Sequence, residues 1–261
     1  MKKSKRLILT IGIFIFTSCT PRLPVQPAKT DSTCTKPGTI EGDKVTHPTQ
    51  GFNIYYQYYL PPCYAELKNS HFPVIYLIAV PFEARLDEQD NTPMSLTDRL
   101  IRTGKMPPAI LIVPDQIIDF GYNEALATDL IPDVDSKFNT IPEREYRGVG
   151  GISSGGAVAA RMAIQFPNEF GSLGILSGGI ATDEKGTFDH WIAAGASNNR
   201  PRIRIDIGDA DGIMPYTQNL VKILDQDKVP YTLNIGHGDH DWVFWSSRME
   251  SYLLWFAEAW K

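Results

Sequence analysis

Apolar residues along the chain fall into short runs separated by polar, proline-rich or glycine-rich breaks. Phe72 to Val80 (Phe-Pro-Val-Ile-Tyr-Leu-Ile-Ala-Val) and Ala109 to Val113 (Ala-Ile-Leu-Ile-Val) are nearly continuous. Such runs fit strands buried on both faces, as in a parallel sheet under helices. Phe52 to Leu60 is Tyr-rich and more alternating, and it stops at Pro61-Pro62, which predicts a strand and a turn. Further strands are predicted at Tyr146 to Gly151, Leu173 to Leu176, Arg202 to Ile207 and Tyr231 to Ile235. Helical spacing marks Ser95 to Thr103, Asn123 to Phe138, Ser154 to Phe166, Tyr216 to Lys228 and Trp242 to Trp260. Within the second of these, Pro132 must fall at a kink or boundary. Strands alternating with helices predict an α/β architecture, with a mostly parallel sheet flanked by helices. Thr182 to Arg200 has few periodic apolar residues and is expected to form a loop or small cap over the site.

The first residues carry a different signal. Lys2, Lys3, Lys5 and Arg6 precede Leu7 to Phe16, ten residues that are apolar apart from Thr10 and Gly12. At 1.5 Å rise per residue such a run is too short for a hydrocarbon core of roughly 30 Å. It reads as an export signal over residues 1–18. Phe16-Thr17-Ser18-Cys19 resembles a bacterial lipobox, which makes Cys19 the expected lipid anchor and membrane contact; the alternative is a plain signal peptide. Residues 19–33 include Pro21, Pro24 and Pro27 and read as a tether. The fourteen residues from Thr20 to Thr33 reach at most ~46 Å. No repeat, low-complexity block or second linker follows, so 34–261 is expected to be one domain.

Composition sharpens this picture. The 261 residues are 43% hydrophobic and 21% charged, which excludes wholesale disorder. The formal net charge is −5, and removing the four basic residues of the export signal moves the side-chain balance to −9. An acidic domain argues against nucleic-acid binding, so no such partner is expected. Three cysteines do not make a disulfide scaffold, and no Cys/His spacing predicts a metal. Export places Cys34 and Cys63 in an oxidising compartment, where a disulfide between them is expected; two separate buried thiols are the alternative.

Candidate chemistry centres on Gly151-Ile152-Ser153-Ser154-Gly155-Gly156, a Gly-x-Ser-x-Gly between a predicted strand and helix. That setting lets small residues form a tight turn that lifts a serine hydroxyl above the sheet edge. A dinucleotide-binding reading of Gly148-Val149-Gly150-Gly151-Ile152-Ser153 fails at its third glycine. A serine hydroxyl is a weak nucleophile, so it needs a histidine base and an acid to orient that base. Asp211 follows Ser153 by 58 residues and His240 follows Asp211 by 29, each just beyond a predicted strand. Asp209 and, less favourably, Asp206 compete with Asp211, and His237 competes with His240. Trp242 and Trp245 form either a pocket wall or packing for the last helix.

These segments together resemble the esterase D-like group of α/β-hydrolases, which includes feruloyl esterases, siderophore esterases, S-formylglutathione hydrolases and mycolyltransferases. The matching pieces are Tyr59-Leu60-Pro61-Pro62-Cys63-Tyr64, Pro73-Val74-Ile75-Tyr76-Leu77-Ile78, Gly151 to Gly156, Gly208-Asp209-Ala210-Asp211, and His240-Asp241-Trp242 with Trp245. The resemblance spans roughly 51–261. It implies an α/β-hydrolase fold, a serine ester hydrolase using Ser153, His240 and Asp211 on a small-molecule ester, and no cofactor. It also maps the acid to Asp211 and the base to His240. The family usually carries His-Gly after the first buried strand, where this chain has Ala79-Val80-Pro81. Proline has no N–H to donate. The expected oxyanion donors are therefore the N–H groups of Ser154 and Phe82. Alternative readings are acyl transfer by the same triad, or a non-catalytic surface lipoprotein on a degenerate hydrolase fold.

Overall fold

The computed structural model of the chain describes residues 27–28, 34, 36–78, 92–115, 124–195 and 199–260. The apolar runs become the middle of an eight-stranded sheet. Its strands are β1 (Thr39–Thr46), β2 (Asn53–Leu60), β3 (Val74–Ile78), β4 (Ile110–Pro114), β5 (Arg147–Ile152), β6 (Ser172–Leu176), β7 (Arg202–Gly208) and β8 (Thr232–Gly236). The spatial order is β1-β2-β4-β3-β5-β6-β7-β8. β1 and β2 pair antiparallel, β2 runs antiparallel to β4, and every neighbouring pair from β4 to β8 is parallel. Parallel neighbours require crossovers, and helices supply them.

Those helices are α1 (Pro93–Arg102), α2 (Ile131–Lys137), α3 (Ser154–Gln165), α4 (Lys185–Ala194), α5 (Met214–Gln226) and α6 (Trp242–Glu258). Alternate residues of each central strand feed two cores. Val74, Tyr76 and Ile78 join residues of α2, α3, α4 and α5 on one face. Ile75 and Leu77 join α1 and α6 on the other. This two-sided burial is why β3 and β4 read as unbroken apolar runs. Pro132 is the second residue of α2, directly after a π-helical turn at Leu126–Leu130, so the proline falls at the boundary where the helical register changes. Among the described residues no helix is long and apolar enough to cross a membrane.

Two segments depart from expectation. Thr182 to Arg200 is not an open loop. It contains a 3-10 turn at Thr182–Glu184 and then α4, which packs beside α3 and α5. Phe188 and Ile192 are buried there and Trp191 packs beside them, a stripe of little more than one turn. β1 escapes a periodicity search because nearly all of its residues are exposed. Its backbone pairing with β2, rather than any buried face, makes it a strand.

Cys34 and Cys63 form a disulfide, with Cα atoms 6.0 Å apart. It clips the segment before β1 to the turn after β2. Replacing both cysteines with serine is expected to lower unfolding free energy by about 3–4 kcal/mol, the chain-entropy value for a loop of this size. Denaturant titration of oxidised wild type beside the double variant measures it. The segment before Cys34 is also engaged. Ala28 is only 7% exposed, its N–H donates to the carbonyl of His71 at 3.0 Å, and Pro27 bridges His71 in parallel. Two residues of the expected tether are thus packed onto the domain.

Candidate active site

The carboxyl ends of β5, β7 and β8 meet at one edge of the sheet. Ser153 follows β5 and precedes α3, with φ 56° and ψ −124°. A non-glycine residue held there stores strain, which its surroundings must over-determine. The N–H of Ser153 donates to the Leu176 carbonyl at 2.9 Å, and its own carbonyl accepts from Gly156 at 3.0 Å. Small residues are obligatory around this turn. A Cβ at Gly155 would lie 2.0 Å from the carbonyl oxygen of Ile78, so α3 could not approach β3 with any larger residue.

A second glycine set supports β5 from its other face. Cβ atoms at Gly150 and Gly174 would fall 2.1 and 2.7 Å from the Tyr252 side chain. The fully buried Tyr252 of α6 lies in the groove they leave, and the N–H of Gly151 donates to its hydroxyl oxygen at 3.1 Å. Burial pushes that hydroxyl far above the ordinary tyrosine range, so it stays protonated. The glycine spacing that fails as a dinucleotide motif here admits an aromatic strut. Nothing in the local sequence around Tyr252 signals this partner.

Ser153 Oγ lies 2.8 Å from His240 Nε2. His240 Nδ1 lies 2.9 and 3.0 Å from the two carboxylate oxygens of Asp211. An ionised carboxylate only accepts, so Nδ1 carries the proton and Nε2 is left to accept from the serine. The Asp211 side chain is 0% exposed and that of His240 is 28% exposed. One Asp211 oxygen also accepts the N–H of Ile213 at 2.9 Å, which fixes the carboxylate in place. The His240 and Trp245 rings meet in a T-shaped contact, with centroids 5.0 Å apart and perpendicular planes. Trp245 is buried in the α1/α6 core, so it both packs that helix and backs the imidazole. Trp242 is partly buried beside the same core.

The rival residues have other partners. Asp209 accepts the Gly238 N–H at 3.1 Å and lies 3.4 Å from His237 Nδ1. The Gly238 N–H first, then the His237 side chain, hold its carboxyl below the ordinary aspartate value. The His237 side chain is 97% exposed, and it is His240 that lies against Ser153 Oγ. Asp206 is buried in an ion pair with Arg204 and accepts from Asn234 at 3.1 Å. Ser154 is the first residue of α3, and first-turn N–H groups point back past a helix's N-terminus, the side on which Ser153 lies. Phe82, the Ala79-Val80-Pro81 segment and Cys19 lie outside the described residues.

A solved ferulic acid esterase superposes with a TM-score of 0.73 at 18% identity, covering 86% of this chain and 100% of that one. The feruloyl esterase module from Clostridium thermocellum, a serine-to-alanine mutant complexed with sinapinate, gives 0.71 at 19% identity, over 91% and 95%. An S-formylglutathione hydrolase from Staphylococcus aureus gives 0.66 at 15% identity, over 85% and 100%. The fold is that of the α/β-hydrolases. In sequence, an endo-1,4-beta-xylanase/feruloyl esterase from Xylanibacter ruminicola is 27% identical over 147 residues, 49% of this chain. The Bacillus subtilis protein YbbA, an uncharacterized protein, is 29% identical over 112 residues, 42% of this chain. The matched segments span only 20% and 40% of those two relatives. The family model described as "Putative esterase" matches residues 119–256, more than half of the sequence and all three of Ser153, Asp211 and His240, and the chain belongs to that family.

Proposed function

We propose that the chain is a serine carboxylic-ester hydrolase. The observation that carries this reading is the unbroken hydrogen-bond line from Ser153 through His240 to buried Asp211, with Ser153 on a strained strand-to-helix turn. His240 Nε2 takes the Ser153 proton as Oγ attacks the ester carbonyl. Asp211 holds the Nδ1–H tautomer and stabilises the imidazolium that forms. The N–H of Ser154, with that of Phe82, receives the oxyanion of the tetrahedral intermediate. His240 then protonates the departing alcohol. Water, activated by the same imidazole, attacks the acyl-enzyme and releases the acid. This sequence of proton transfers requires no metal or organic cofactor.

The names of the relatives favour an aromatic acyl group of the feruloyl kind on a small or saccharide alcohol. The leader supports export with attachment through Cys19 to the cell envelope, where a disulfide such as Cys34–Cys63 persists. A fluorophosphonate probe is expected to label the wild-type chain at Ser153, and Ser153→Ala to remain unlabelled. Mass spectrometry of the labelled peptide reads the outcome. A folded wild type that takes no label overturns the mechanism. Methyl ferulate set beside 4-nitrophenyl acetate then reads the acyl preference.

A further inference from the structure

The packed end of the tether and the Ser153 site lie at opposite edges of the sheet. His71, which pairs with Pro27 and holds Ala28, comes just before the first residue of β3. Ser153, Asp211 and His240 all follow the last residues of strands parallel to β3. β3 is fourth of eight in the sheet, so the tether is held near the middle of the far edge. The six residues of β5 alone separate the two edges by about 20 Å. A globule of this length has a radius of gyration of about 17 Å, hence a diameter of about 45 Å.

Ala28 is buried, so chain slack is counted from Pro27 and not from Cys34. Eight peptide steps join Cys19 to Pro27, and they span at most about 29 Å whatever their conformation. That exceeds the length of the strands themselves, but a tether outside the domain must pass around a body about 45 Å across, and its reach is shorter than that. We propose that the anchored enzyme stands on its membrane with the catalytic edge turned away, and that it acts on esters presented from the aqueous side rather than on lipid esters of its own bilayer. The proposal rests on the lipid-anchor and esterase readings above. It narrows the substrate to a dissolved or polymer-borne ester.

The test uses the full acylated chain in phosphatidylethanolamine/phosphatidylglycerol vesicles. Cys34 and Cys63 are paired, so a donor dye can be placed on a single new thiol. Val243→Cys, 75% exposed beside His240, marks the catalytic edge, and Glu143→Cys, exposed ahead of β5, marks the opposite edge. Energy transfer to a rhodamine lipid is expected to be stronger from position 143 than from 243. Inserting 30 Gly/Ser residues between Gln26 and Pro27 adds about 30 Å of r.m.s. reach and is expected to shrink that difference. The insert should also raise hydrolysis of a bilayer-embedded acyl-umbelliferyl lipid several-fold, leaving 4-nitrophenyl acetate turnover unchanged. Equal or stronger transfer from 243, or embedded-ester turnover insensitive to the insert, overturns the orientation. If the wild type floats with vesicles no better than Cys19→Ser, the anchor fails and the proposal falls with it. Absence of all hydrolysis alongside the expected order of transfer overturns the esterase reading and leaves the orientation standing.

Discussion

Ser153→Ala is expected to lower kcat on 4-nitrophenyl acetate by about 10⁵–10⁶-fold, the scale of losing the nucleophile of an interdependent triad. KM should change little, because the methyl group removes a bond-forming atom and not a binding surface. His240→Ala should cost a similar factor. The double variant should be scarcely worse than either single, since Ser153 Oγ and His240 Nε2 act through one 2.8 Å hydrogen bond. Additive losses in the double variant would mean that the two side chains serve separate steps. Far-ultraviolet circular dichroism and a thermal melt separate lost chemistry from lost folding.

The second large effect distinguishes two aspartates two residues apart. Asp211→Asn is expected to lower kcat by about 10⁴-fold, and Asp209→Asn to stay within about two-fold. An amide at 211 can donate to Nδ1 of His240, which leaves the proton on Nε2. Nε2 then cannot accept from Ser153, though the geometry is unchanged. Asp209 instead accepts from Gly238 and sits by exposed His237, outside the line to the nucleophile. Steady-state kinetics of both variants decide it, and comparable losses would move the orienting role to the turn as a whole.

Much of the fold was legible because local chemistry encodes it. The unbroken runs at β3 and β4 announce burial on two faces, and the structure places a helical core on each. The Ser153 turn was legible through its small residues, because α3 approaches β3 too closely for a side chain at Gly155. β1 was not legible, since an exposed edge strand is specified by backbone pairing and carries no apolar period. α4 was missed because Phe188, Trp191 and Ile192 supply only one short stripe. Tyr252 was missed for another reason. Its partners, Gly150, Gly151 and Gly174, are some eighty to one hundred residues away and mark only an empty groove.

The sequence by itself determined the alternation of strands and helices, the turn that carries Ser153, and the order Ser, Asp, His along the chain. Each of these follows from side-chain period or from the steric needs of a few adjacent residues. Spacing left rival aspartates and histidines open and only the family resemblance chose Asp211 and His240; tertiary structure brought those two to Ser153, and it alone decided that Ala28 belongs to the core, held at the strand ends opposite Ser153. Those outcomes depend on where separate strand ends arrive in space. In a tight turn, residues two apart can face a half-buried imidazole or open water, and side-chain period does not distinguish the two.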